Sequence, residues 1–226
     1  MSYPLIEMAA SDFPPSFIRM ITEGMPRVYR ESKEKVFNDP DYEESDKRYL
    51  LPHVRRLHTE KLLRESAEKS GIKTSIEKTS SGMHEYTLVR AGRFSLTACY
   101  VDLPNRFPRV ATHRTQYAAI NNFLPQILLD LDDSNVVQLP TVGDIYAILI
   151  HGSEPNNNEA NTNEAPAFLR LGIPKHNRAS WEDTIDLIEI METQAIKYQK
   201  PEEDMQAQLQ EAHPIFKKIP KEEEGT

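Results

Sequence analysis

His84-Glu85-Tyr86-Thr87-Leu88-Val89-Arg90-Ala91-Gly92-Arg93-Phe94-Ser95-Leu96-Thr97-Ala98-Cys99-Tyr100-Val101 is the stretch that decides the fold. Phe94, Leu96, Ala98 and Tyr100 alternate with Ser95, Thr97, Cys99 and Val101. That period of two sets the first group on one face of a sheet. Upstream, Ser75-Ile76-Glu77-Lys78 leads into the turn-like Ser80-Ser81-Gly82, and Ala91-Gly92 separates the two later runs. Short turns favour antiparallel neighbours, so a three-stranded meander is predicted over 73–101.

Working outward, Leu51, Val54, Leu57, Leu62 and Ala67 form an imperfect helical stripe that Gly71 closes. This predicts a helix over 49–70, decorated by Arg48, Arg55, Arg56, Lys61 and Arg64, with Pro52 in its first turn. Tyr117, Ile120, Phe123, Leu124, Ile127 and Leu128 predict a second helix over 113–129, interrupted by Pro125. Ile145-Tyr146-Ala147-Ile148-Leu149-Ile150 reads as a fully buried strand ending at His151-Gly152, with 168–173 as a partner strand. Trp181, Ile185, Ile188, Met191 and Ala195 predict an amphipathic helix over 181–198.

The expected fold class is therefore α+β: an antiparallel sheet of about four to five strands covered by helices. An N-terminal arm or connector occupies 1–46, with a short helix near Pro15 and an exposed stretch over 30–46. The core domain spans 47–200, and a charged flexible tail 201–226.

A single cysteine, Cys99, rules out an internal disulfide and suits a reducing compartment. Met1–Glu7 has neither the basic start nor the apolar run of a secretory signal. No stretch approaches the roughly 18 apolar residues of a membrane helix. A soluble, cytoplasmic protein without a membrane partner is expected.

Charge is segregated along the chain. Residues 47–117 hold 14 Lys+Arg against 6 Asp+Glu, whereas the formal net charge of the whole is −8. Arg90, Arg93, Arg106, Arg109 and Arg114 lie in this basic centre, interleaved with Tyr86, Phe94, Tyr100 and Phe107. Guanidinium forks grip phosphates and carboxylates, and bases stack on aromatic rings. The plainer alternative has the aromatics in the core and the arginines neutralised by the chain's own acids. The negative total argues against strong nonspecific duplex binding.

His84, His113 and His151 fall at strand ends and a helix start, where loops converge. Three imidazoles could hold zinc, or one could act as a general base, yet no pair has the His-Glu-x-x-His spacing. Asp130, Asp132 and Asp133 offer carboxylates for magnesium or calcium, but without the Gly and distal Glu of an EF-hand loop they read as a solvated acidic turn. Glu77 and Glu85 lack the Glu-x-Lys of a restriction-type nuclease. Cys99 reads as a small buried hydrophobe. No nucleophile elbow and no Gly-rich phosphate loop occurs.

The sequence thus favours a non-enzymatic binding or regulatory protein, with no cofactor, that contacts an acidic protein or nucleic acid through its central arginines. One alternative is a metal-dependent hydrolase or nuclease using His113 and His151 with Asp144 or an acid of 130–133. Another is a structural subunit of a homo- or hetero-oligomer.

Overall fold

A computed structural model describes residues 3–79, 81–124, 145–152 and 164–197. Its elements in chain order are α1 (Tyr3–Asp12), α2 (Pro15–Phe37), α3 (Glu44–Lys69), β1 (Lys73–Lys78), β2 (Glu85–Ala91), β3 (Phe94–Tyr100) and α4 (Thr112–Ala118). A 3-10 turn (Ala119–Phe123), β4 (Ile145–Gly152), β5 (Phe168–Pro174), β6 (Trp181–Asp186) and helix α5 (187–197) follow.

The six strands form one sheet in the order β1-β2-β3-β4-β5-β6. The meander over 73–101 is present, β1 pairing β2 and β2 pairing β3 antiparallel. Its second turn needs only Gly92-Arg93, and Gly92 adopts φ 52, a backbone setting that suits glycine at a tight hairpin. The expectation of a wholly antiparallel sheet is corrected. β3 and β4 run parallel from Phe94/Ile145 to Tyr100/His151, so the sheet is mixed and has six strands. A parallel neighbour requires a long crossover, which the chain between β3 and β4 supplies.

The sixth strand is the second correction. Trp181–Asp186 pairs antiparallel with β5, and only from 187 does the chain turn helical. Ile185 fits both readings: it lies four residues from Trp181, and it also alternates with half-buried neighbours along an edge strand.

α3 begins at Glu44, so Pro52 lies inside the helix and not in its first turn. There it deprives the Arg48 carbonyl of its usual i+4 donor. α4 stops at Ala118 and tightens into the 3-10 turn, so the predicted helix is interrupted there; the remainder of that prediction, 125–129 with Pro125, lies outside the described residues.

Helices α1 and α2 hold much of the core. Leu5, Phe13, Phe17, Ile21, Met25 and Tyr29 are buried against Val89, Phe94, Leu96, Ala147 and Leu149 on one sheet face. Pro15 does start a helix, but that helix continues to Phe37 and buries Ser32 and Val36, within the stretch expected to be exposed. Its charged residues Arg30, Glu31, Glu34 and Lys35 mask a sparse apolar face that the segment's composition hides. Ser32 Oγ meets His58 Nδ1 at 2.8 Å, tying α2 to α3. A smaller cluster, Val101, Ala118, Tyr146, Ile148, Ile150 and Phe168, fills the opposite face. Among the described residues, no helix is long and apolar enough to cross a membrane.

Candidate functional site, a fork between two strands

β2 and β3 are bonded to each other only near their hairpin. Their register covers Val89↔Leu96, Arg90↔Ser95 and Ala91↔Phe94, although β2 starts at Glu85 and β3 ends at Tyr100. β1 stays with β2 as far as Lys78↔Glu85, and β4 stays with β3 as far as Tyr100↔His151. The sheet therefore divides into two ribbons that part at Leu88 and Thr97.

Helix α3 holds the parting open. Thr87 N–H, whose ladder partner would be the Ala98 carbonyl, donates instead to Glu60 Oε2 at 2.6 Å. The Glu85 carbonyl, whose ladder partner would be Tyr100 N–H, accepts from Arg56 Nη1 at 3.2 Å. Arg56 and Glu60 are four residues apart, so one turn of helix presents both to one strand edge. Side chains thus satisfy the Thr87 N–H and the Glu85 carbonyl, two of the groups through which β2 would bond β3.

A cavity of about 490 Å³ occupies the opening. Its wall includes Arg56 and Glu60 from α3, His84, Glu85 and Tyr86 from the β1–β2 hairpin and β2, and Thr97 to Tyr100 from β3. Arg109, His113, Arg114 and His151 complete it. The three histidines singled out in the sequence do line one space. Among the described residues, however, no group of three or more His, Cys, Asp or Glu is placed to hold a metal ion.

Each histidine has its own setting. The His113 ring stacks on Tyr86, centroids 4.2 Å apart and planes 19° apart. Burial, together with the charges of Arg114 and Arg178, lowers His113 to about 4. His151 is 2% exposed, and its Nδ1 lies 2.7 Å from Tyr29 Oη. Burial, with Arg55 nearby, lowers His151 to about 3. The Arg55 guanidinium sits 4.3 Å from the Tyr29 ring centre. Both imidazoles are therefore neutral at pH 7, and their rings act as aromatic surface and hydrogen-bonding groups without charge.

Burial raises Glu60, against the lowering effect of the Thr87 N–H, the Thr87 hydroxyl and the charges of Arg56 and Arg114. Burial also raises Cys99, so the thiolate is disfavoured although the residue faces the cavity.

The five arginines of the basic centre do not gather. Arg93 is bound by Asp12, Nε to Oδ2 at 2.7 Å and Nη2 to Oδ1 at 2.9 Å. Arg106 pairs with Asp102. Arg90 reaches across to Ser75 Oγ at 3.3 Å. Of the five, Arg109 and Arg114 line the cavity, joined by Arg56, which nothing in the amino-acid string sets apart from the other helix arginines. The loop that carries Arg109 is pinned by Arg178, which donates to the Pro108 carbonyl at 3.3 Å and to Thr115 Oγ1 at 2.9 Å. Asp130, Asp132, Asp133 and Asp144 lie outside the described residues.

Comparison with protein-family models, with curated proteins and with solved structures finds no match to this chain. The site's own geometry carries the functional argument.

Proposed function

We propose that this α+β chain is a binding protein, and that its ligand brings an anionic group into the fork between β2 and β3. The observation that supports this reading most is that Arg56, Arg109 and Arg114 line one cavity, with Glu60 and Glu85 the acids beside them among the described residues. Arginine stays charged at any relevant pH and offers paired donors to a phosphate or carboxylate. A volume of about 490 Å³ falls within the range of small-ligand sites. The hydrolase alternative has less behind it. His113 is engaged in stacking, the Nδ1 of His151 is taken by Tyr29, and among the described residues no carboxylate bonds to either ring.

The test is fluorescence anisotropy with three labelled probes: a short single-stranded DNA, the same sequence in RNA, and a Glu-rich nonapeptide. At least one is expected to bind, more weakly as salt rises and at least tenfold more weakly to the Arg109→Glu/Arg114→Glu protein. Failure of all three together with silence from unlabelled nucleoside monophosphates, or indifference to the double substitution, refutes the reading.

A further inference from the structure

The fork parts main-chain groups of β3 from their ladder partners on β2, the Ala98 carbonyl and the Tyr100 N–H among them. Val101 N–H donates to the His151 carbonyl at 2.9 Å, and the Arg93 carbonyl accepts from Ile145 N–H at 2.9 Å. Odd-numbered residues of β3 therefore turn their main chain toward β4, and even-numbered ones toward β2, because successive peptide groups alternate sides. The Ala98 carbonyl and the Tyr100 N–H consequently point into the fork. These are the groups whose partners Glu60 and Arg56 have taken on the opposite strand. An acceptor and a donor separated by one residue are left on a single strand edge, facing the cavity.

Resting on the anion-binding reading above, we propose that the ligand is a nucleotide. Its base lies in the plane of the fork, with its Watson–Crick edge against the Ala98 carbonyl and the Tyr100 N–H, and its phosphate meets Arg56, Arg109 and Arg114. Every nucleobase carries a donor next to an acceptor on that edge, which is the complement of what β3 presents. The Tyr86, Tyr100 and His113 rings of the wall supply flat apolar surface on which a heterocycle stacks. An added peptide strand fits less well. The fork is closed above by the Val89↔Leu96 pair, so an incoming chain would gain few ladder bonds. The nucleotide could be a free one or a unit of a single strand, since both present the same base and phosphate.

The experiment is isothermal titration calorimetry on the full chain. The ligands are AMP, GMP, CMP and UMP, each beside its analogue methylated on the Watson–Crick ring nitrogen. Ribose 5-phosphate, mixed-sequence trinucleotides and a Glu-rich nonapeptide complete the set. At least one nucleotide or trinucleotide is expected to bind, with a tenfold or greater loss on methylation, or for ribose 5-phosphate. Binding by the trinucleotides alone assigns the source to a strand and supports the proposal when trinucleotides methylated on the same ring nitrogens fail to bind; equal binding of the methylated trinucleotides overturns base recognition. Equal affinity of the methylated analogue, or of ribose 5-phosphate, overturns base recognition and leaves anion binding standing. Binding by the peptide alone has the same consequence. Silence from every probe overturns both. Arg114→Met is expected to weaken binding at least tenfold and Arg90→Ala to leave it unchanged; an unaffected Arg114→Met would place the ligand elsewhere and defeat both readings.

Discussion

Asp12 and Arg93 are joined by two side-chain contacts, and Asp12 Oδ2 also accepts the Arg93 main-chain N–H at 2.9 Å. One carboxylate thus fixes the end of α1 to the β2–β3 turn, 81 residues away. Both side chains are largely covered, Arg93 at 19% and Asp12 at 13% exposure, so each is stabilised mostly by the other. Arg93→Ala leaves a covered carboxylate with one main-chain donor. Losing one partner of a buried pair costs about 3–5 kcal/mol, and partial exposure reduces that here to about 2–3 kcal/mol. Urea denaturation should show this as a lower midpoint with an unchanged slope. A loss below 0.5 kcal/mol would mean that the pair contributes no more than an exposed surface contact.

The same pair shows what the sequence could not disclose. Arg93 and Arg109 are indistinguishable in the amino-acid string: both are basic, and both border the β signal. One is consumed by Asp12 and the other faces a cavity, and only the fold decides between them. The hairpin was legible because alternation of apolar residues is a local property. The parallel β3–β4 pairing was not, because nothing local distinguishes a strand reached by a hairpin from one reached by a crossover. Trp181–Asp186 escaped because edge strands need little apolar content. His84, His113 and His151 were legible as a group, since element ends converge. Glu60 was missed entirely. Its only local signal is its i,i+4 spacing from Arg56, which every surface helix displays.

The neutral imidazole of His151 makes a specific prediction about acid. Its folded pKa lies near 3, below the ordinary value of 6.5. The unfolded chain therefore binds more protons than the folded one between those values. Stability from this group is fully present above pH 6.5 and is lost as pH falls toward 3, at up to about 1.4 kcal/mol per pH unit. His113, lowered to about 4, acts in the same direction. Glu60, raised by burial, acts oppositely, contributing stability at low pH that is lost as pH rises. Denaturation of wild type and His151→Gln at pH 4, 5, 6 and 7 should give a shallower slope for the variant. Parallel slopes would mean that His151 is charged in the native protein.

Hydrogen exchange reads the fork directly. Val101 N–H is bonded to His151 across the β3–β4 ladder and should exchange slowly, whereas Tyr100 N–H points into the cavity and should exchange orders of magnitude faster. Removing both props, as Arg56→Ala/Glu60→Ala, frees the β2 edge to pair with β3. Tyr100 protection should then rise toward that of Val101. Equal protection of the two amides in the wild-type protein would show that β2 and β3 are zipped along their whole length in solution, and would remove the opening on which the cavity depends.

Asn121 offers the sharpest test of how the far side of the sheet is held. It is 1% exposed. Its amide nitrogen donates to the Tyr146 carbonyl at 2.9 Å and the Pro174 carbonyl at 2.7 Å, and its oxygen accepts Tyr146 N–H at 2.8 Å. A single side chain thus closes the starts of β4 and the end of β5 beneath the 3-10 turn. Leucine has nearly the same size but would leave two carbonyls and one N–H buried and unpaired. Each such group costs about 1–3 kcal/mol, so Asn121→Leu should lose about 3 kcal/mol or more, enough to unfold a marginal domain. Asn121→Asp separates shape from hydrogen bonding. It keeps the acceptor for Tyr146 N–H, loses both donors and sets a carboxylate against two carbonyls. It should be as damaging as leucine at pH 7 and should recover part of the loss at pH 4, where protonation restores one donor. A variant that melts like the wild type at both pH values would show that the asparagine only fills space.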